Sequence, residues 1–147
     1  MSRSAEYALR AVLFIAQRPE GSPHRANEVA KALEVPRNYL QKVLHTLAKH
    51  GVLRSVRGPA GGFSLSEPPE RLALRAVVDP FDSGPERRLC LLGRLDCCDD
   101  NPCSAHGQWS GVAEQVGSFF RDTTVADLLG GNGAAPIHPG GPDAVRP

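Results

Sequence analysis

The sequence predicts a mainly α-helical fold interrupted by a single β-hairpin, and three observations carry that reading. Apolar residues recur at three- and four-residue spacing in four separate stretches, the signature of amphipathic helices. One short stretch instead alternates apolar and polar residues on either side of Gly58-Pro59-Ala60-Gly61-Gly62, the signature of a hairpin. Prolines fall between the helical stretches, not within them.

The first pattern runs from Ser4 to Gln17, where Ala5, Ala8, Leu9, Val12, Leu13, Ile15 and Ala16 form one stripe. Ser4 is its expected cap and Pro19-Glu20-Gly21 its stop. The second, from about Arg25 to Leu33, sets Val29, Ala30 and Leu33 on one side and breaks at Val35-Pro36. Pro36 suits the first turn of the next helix, where its missing N–H is not needed. That third helix, PRNYLQKVLHTLAKHG, spaces Tyr39, Leu40, Val43, Leu44, Leu47 and Ala48 as a core face and stops at Gly51. Its other face carries Arg37, Asn38, Gln41, Lys42, His45 and Lys49. Two short helices across a tight break, the second polar and basic outside, make a helix-turn-helix pattern, one that many helical hairpins share. The hairpin in VLRSVRGPAGGFSLS comes directly after it, in the position of a wing, with Arg54 and Arg57 expected beside its tip.

Downstream, PPERLALRAVVDPFD reads as a connecting strand or short helix ended at Asp79-Pro80. A cysteine-bearing loop follows, and from about Ala105 to Arg121 a long helix places Trp109, Val112, Val116, Phe119 and Phe120 on one ridge. Thr124 to Asp127 resembles a capping box opening a last short helix. Residues 130–147 hold five glycines and four prolines and read as a disordered tail. The chain thus divides into a winged helix-turn-helix over 1–80, a cysteine loop over 81–104, helices over 105–129 and the tail from 130 to 147.

A length of 147 residues suits one domain with an appendage. Residues 1–65 hold ten Lys/Arg against four Asp/Glu, a net of +6, while residues 66–147 hold seven against twelve, a net of −5. A basic half joined to an acidic half points to a polyanion-binding module attached to something else, although a solvated basic face gives the same count. The opening residues show no basic start followed by a long apolar run, and no apolar stretch approaches a membrane span. A cytoplasmic protein with no membrane partner is the expectation, and in a reducing compartment clustered cysteines bind metal or do redox chemistry rather than form stable disulfides.

All four cysteines lie in CLLGRLDCCDDNPCSAH, residues 90–106. Six residues separate Cys90 from Cys97, five separate Cys97 from Cys103, and His106 stands three positions beyond Cys103. Loops rich in Gly, Asp, Asn and Pro let thiolates converge without the demands of a helix or strand. Thiolate sets of this kind suit iron-sulfur clusters or zinc. A tetrahedral zinc site can use the same donors, although the gaps lack paired C-x-x-C knuckles. Cys97-Cys98 can instead act as a metal-free thiol sensor.

Together SAEYALRAVLFIA, NYLQKVLHTLAKHGVLRSVRGPAGGFSLS and CLLGRLDCCDDNPCSAHGQW resemble, in order and over roughly residues 1–130, the Rrf-two family of bacterial winged-helix regulators, which includes IscR-type and NsrR-type members. The resemblance implies a homodimer joined through the long C-terminal helix, with Trp109 and the phenylalanines in its core. Each winged helix would read one half of a roughly palindromic double-stranded operator. It also implies an iron-sulfur cluster, two-iron rather than four-iron, on Cys90, Cys97 and Cys103, although some members lack one. The first gap is one residue longer than in IscR-type proteins, and Cys98 is a spare thiol or substitute ligand. His106 is the local fourth ligand by likeness to IscR-type sites. Glu6 is its rival, by likeness to the first-helix acid that NsrR-type members supply from the partner subunit. Taken alone, His106 can equally be a capping histidine, and Glu6 an acid favoured by the helix dipole.

On the DNA side, Arg37, Asn38, Tyr39, Gln41 and Lys42 stand at the start of the recognition helix. Gln and Asn can read adenine edges, Arg and Lys guanine, and Arg57 with Gly58 on the wing suits the minor groove. Tyr39 can equally be packing, and at least two of these residues should touch phosphate only. The expected function is transcriptional control, as a repressor whose operator affinity follows the cluster and so reports iron-sulfur, redox or nitric oxide status. A cluster-free regulator answering to a metabolite, a partner protein or thiol oxidation is the alternative. An enzyme or small metal-centre electron carrier is disfavoured, since no second cluster motif, nucleotide loop or catalytic Ser/His/Asp grouping occurs.

Overall fold

A computed structural model of the chain describes residues 1–17, 23–82, 91–92 and 100–130. The elements run α1 (Arg3–Ala16), α2 (Ala26–Leu33), α3 (Arg37–Lys49), β1 (Leu53–Val56), β2 (Gly62–Leu65), α4 (Leu74–Val78), α5 (His106–Asp122) and α6 (Val125–Gly130). Ser2 rather than Ser4 caps α1: its side chain accepts from the Ala5 N–H at 3.2 Å, so the helix starts one residue before the expected cap. Ser4 lies inside the first turn and is free for a contact across to α3. The stretch after the hairpin resolves as the short helix α4 rather than a strand. The expected stop at 19–21 and the tail from 131 lie outside the described residues.

Helix α1 is the post on which the fold is hung. Ala5, Ala8, Ala11 and Val12 are fully buried, and α1 packs on α2, α3, α4, α6 and β2. Methyl-sized side chains let several elements come close at once, which larger residues at those positions would prevent. Leu33, Leu40, Leu44, Leu47, Leu72, Leu74, Val77 and Val125 complete the same core.

Between α2 and α3 the chain reverses through Glu34, whose φ of 53° is left-handed. A non-glycine residue there costs about 1–2 kcal/mol, offset here by the turn it closes. Its N–H donates to the Ala30 and Lys31 carbonyls, and the Val35 N–H follows onto Ala30 at 3.0 Å. Pro36 takes the cap position of α3, and its carbonyl accepts from Leu40 at 3.0 Å.

The two strands pair antiparallel, with Leu53 opposite Leu65 and Val56 opposite Gly62. A third segment joins them: the N–H and carbonyl of His24 exchange bonds with those of Phe63, each 2.8 Å. The wing is therefore pinned to the chain just before α2. The far end of the molecule is tied in the same manner. Leu74 donates to Thr123 at 2.9 Å and Val125 to Leu72 at 2.8 Å, so the chain leaving α5 is stitched to the segment entering α4.

The capping box at the start of α6 is present as expected. The Asp127 carboxylate accepts from the Thr124 N–H at 2.8 Å and its hydroxyl at 2.7 Å, and the Asp127 N–H returns a bond to that hydroxyl at 3.2 Å. The Thr124 backbone bond first, and the hydroxyl bond second, hold the Asp127 carboxyl below its ordinary value of 3.8. A lowered folded pKa adds stability that is present above 3.8 and lost as pH falls through the folded value. Asp127→Asn should therefore lower Tm at pH 7, and the gap to wild type should close in melts run at progressively more acid pH.

Candidate nucleic-acid interface and cysteine loop

The outer face of α3 is built by helical spacing. Leu40, Val43, Leu44 and Leu47 are buried, which turns Arg37, Asn38, Gln41, Lys42 and His45 outward, all exposed. No acidic side chain occupies the first turn of α3, so the helix start is positive in both its dipole and its side chains. Beside it, His45 meets Phe63 of the wing edge-on, ring centroids 5.3 Å apart, which joins the outer face of α3 to the wing.

The wing tip is shaped by glycine. Gly58 has φ 108°, a conformation that L side chains rarely adopt, and it accepts from the Gly61 N–H at 3.0 Å. A Cβ on Gly62 would stand 2.5 Å from the His24 carbonyl oxygen, so the close approach of the third segment requires glycine. Arg57 and Gly58 are exposed in this turn. The Arg25 guanidinium donates to the Pro59 carbonyl and fastens the tip to the start of α2. Arg54, expected at the tip, instead lies in β1 opposite Ser64 and lines a groove with Glu67 and Glu70.

Tyr39 differs from its neighbours. Its hydroxyl lies 2.6 Å from the Ser4 hydroxyl, and its ring meets Tyr7 edge-on at 5.6 Å. It stands on the exposed side of α3 while bonded to α1. Neither this contact nor the roles of His24 and Arg25 has a signal in the sequence, because each is one long-range pairing with no periodic pattern.

In the loop, the described residues include Cys103 and His106, both half-buried, while Cys90, Cys97 and Cys98 lie outside them. The His106 N–H donates to the Cys103 carbonyl at 3.0 Å, which sets these two side chains in one turn at the foot of α5. Glu6 is exposed in the first turn of α1. Among the described residues no group of three or more His, Cys, Asp or Glu side chains converges. Helix α5 itself has one buried residue, Gly117. Its ridge stays open, with Val112 47 %, Val116 47 % and Phe119 51 % exposed. No helix among the described residues is long and apolar enough to cross a membrane.

A helix-turn-helix with an exposed basic second helix, braced by a glycine-tipped wing, defines the class: a winged-helix DNA-binding transcription regulator. The model of the Rrf2 family, described as iron-dependent transcriptional regulators, matches residues 1–131, and the chain belongs to that family. An HTH-type transcriptional regulator of Aquifex aeolicus is 36% identical over 130 residues, 87% of this chain and 90% of the relative. The regulator IscR of Yersinia pestis is 28% identical over 129 residues, 88% and 78% of the two chains. Among solved structures, CymR of B. subtilis, described as its global cysteine regulator, superposes with a TM-score of 0.73 at 19% identity, covering 87% of this chain and 94% of CymR. IscR of T. potens does so at 0.69 and 20%, covering 88% and 85%. Both confirm the winged-helix fold. The family is one of regulators, not enzymes.

The wing geometry predicts that Gly62→Ala pushes the His24 segment off Phe63 and destabilises the chain by more than about 1 kcal/mol. Gly58→Ala, with nothing within 4 Å of the added Cβ, strains only the local backbone. Thermal melts of the two variants should show Tm falling further for Gly62→Ala.

Proposed function

We propose that the chain is a dimeric regulator, acting as a repressor, whose operator affinity is set by an iron-sulfur cluster on Cys90, Cys97 and Cys103. The single observation that carries the reading is the Cys103–His106 turn. It brings the half-buried residues Cys103 and His106 into one backbone turn at the foot of a helix whose apolar ridge faces outward. Soft thiolates with one nitrogen or oxygen donor suit a two-iron cluster, and the set present here fits one. When bound, such a cluster supplies a centre that iron supply, oxidants or nitric oxide can alter.

The protein's own residues do the rest. His106 begins α5 and so carries any change at Cys103 directly into that helix. Glu6, exposed on α1, is the alternative fourth donor across the dimer, and Cys98 is spare. Val112, Val116 and Phe119 bury against the same ridge of a second chain, since an exposed apolar stripe running about 10 Å along the helix is costly in water. Two-fold symmetry then sets two α3 helices on half-sites about 34 Å apart along a palindrome. Asn38 and Gln41 are the base-reading candidates, with Arg37 and Lys42 on guanine or phosphate and Arg57 on phosphate beside the minor groove.

Native mass spectrometry after strictly anaerobic purification tests the reading. It should show a dimer carrying iron and sulfide, with Cys103→Ser losing the iron and Cys98→Ser keeping it. An iron-free dimer would replace the cluster with thiol or metabolite control. On a duplex that the wild-type protein selects from a random-sequence pool, Arg57→Ala should weaken binding alike across sequences and reduce the salt slope by about 1. Gln41→Ala should instead relax base preference at one position, as measured by binding to single-base variants of that duplex.

A further inference from the structure

Two polar contacts meet in the first turn of α1. At one, Asp82 receives the Ser2 N–H on both carboxylate oxygens, at 2.9 and 3.1 Å. At the other, Ser4 bonds the Tyr39 hydroxyl at 2.6 Å. Asp82 is the second residue of the cysteine loop, at its entrance, and Tyr39 stands in the first turn of the recognition helix. The intervening piece, Ser2 to Ser4, is the capped start of a helix whose buried alanines fix it to the core.

We propose that Tyr39 is a positioning residue, and that Asp82, Ser2, Ser4 and Tyr39 form a tie through which the mouth of the cysteine loop sets the pose of the recognition helix. For what the loop binds, the tie rests on the cluster reading above. Its own basis is geometric.

The Asp82 carboxylate faces the positive end of α1, where a charge-assisted bond is strong, so displacing Asp82 pulls on the helix start. Ser4 and Tyr7 lie three residues apart, on one face of α1, and both grip Tyr39. Tyr39 is partly exposed, at 36 %, so the core does not need its hydroxyl. Leu40, Val43 and Leu44 already anchor α3 to the core. What the Ser4 bond adds is the orientation of the first turn, the part of a recognition helix that reaches base edges.

The test is a set of paired substitutions in the full chain, purified anaerobically with its iron content measured, and titrated at fixed salt on the selected duplex. Tyr39→Phe keeps the ring on Tyr7 and removes only the hydroxyl; Ser4→Ala removes the same bond from the other side. Each should weaken binding by about fivefold, a coupling of ordinary size, and the two together by no more than one alone. Asp82→Ala combined with Tyr39→Phe should likewise fall short of the product of the singles. Among the described residues no hydrogen bond joins Asp82 to Tyr39, so independent effects would multiply.

Multiplying effects would overturn the tie. So would a loss with Tyr39→Phe that Ser4→Ala does not reproduce, since the hydroxyl would then act on DNA directly. Unchanged binding in both single variants would overturn it as well. Should Asp82→Ala fold poorly, Asp82→Asn replaces it, and half-buried Ser4 with Tyr39 tests the α1 end of the tie. Iron-free protein showing the non-multiplying pattern would sink the cluster reading and uphold the tie, and iron-loaded protein showing multiplying effects would do the reverse.

Discussion

The burial of the alanine face of α1 is the constraint on which the rest depends. Ala5, Ala8 and Ala11 have no exposed surface, and their size lets the recognition helix, the wing strand β2 and the C-terminal helix α6 all rest on one element. Burial of Leu40, Val43, Leu44 and Leu47 of α3 into this core turns its polar face outward. The exposed basic face of α3 is thus a by-product of where the apolar residues go, with no separate device needed to expose it.

Rigidity continues from the core to both ends of the molecule. The wing is held three ways, by the strand ladder, the His24–Phe63 bridge and the Arg25 bond to Pro59. At the other end, the bonds between residues 72–74 and 123–125 fix the exit of α5 to the segment that enters α4. In the proposed dimer, a change at α5 therefore has a short, hydrogen-bonded route into the winged helix. The Asp82–Ser2 contact offers a second route from the entrance of the cysteine loop. Either would let a loop remote from α3 in sequence bias DNA binding, as proposed above, because packed cores pass on small displacements instead of absorbing them.

The helices were legible because their signal is local and periodic. Val29, Ala30 and Leu33, or Leu40, Val43, Leu44 and Leu47, announce a buried face by spacing alone, and Thr124 with Asp127 announces a cap. Boundaries were less so: Ser2 and Ser4 are both capable caps two residues apart, and the bond from Ser4 to Tyr39 is the kind of long-range contact that decides between them. The third segment of the wing was invisible for the same reason, since one bridge at His24 leaves no alternation to read. For the interface, the exposed positions of α3 followed from the core positions, whereas Tyr39 needed the structure to reveal its grip on α1. The cysteine spacing suggested metal chemistry, and of its residues the structure describes only Cys103 and His106, which share one backbone turn.

In the proposed function the state of the cysteine loop controls DNA binding. That control is tested most directly by titrating the selected duplex, at one salt concentration, with iron-loaded protein and with the same protein after its iron is removed. A difference of at least fivefold in Kd between the two forms, a coupling of about 1 kcal/mol or more, is the expected result. Equal affinity of the two forms would contradict it.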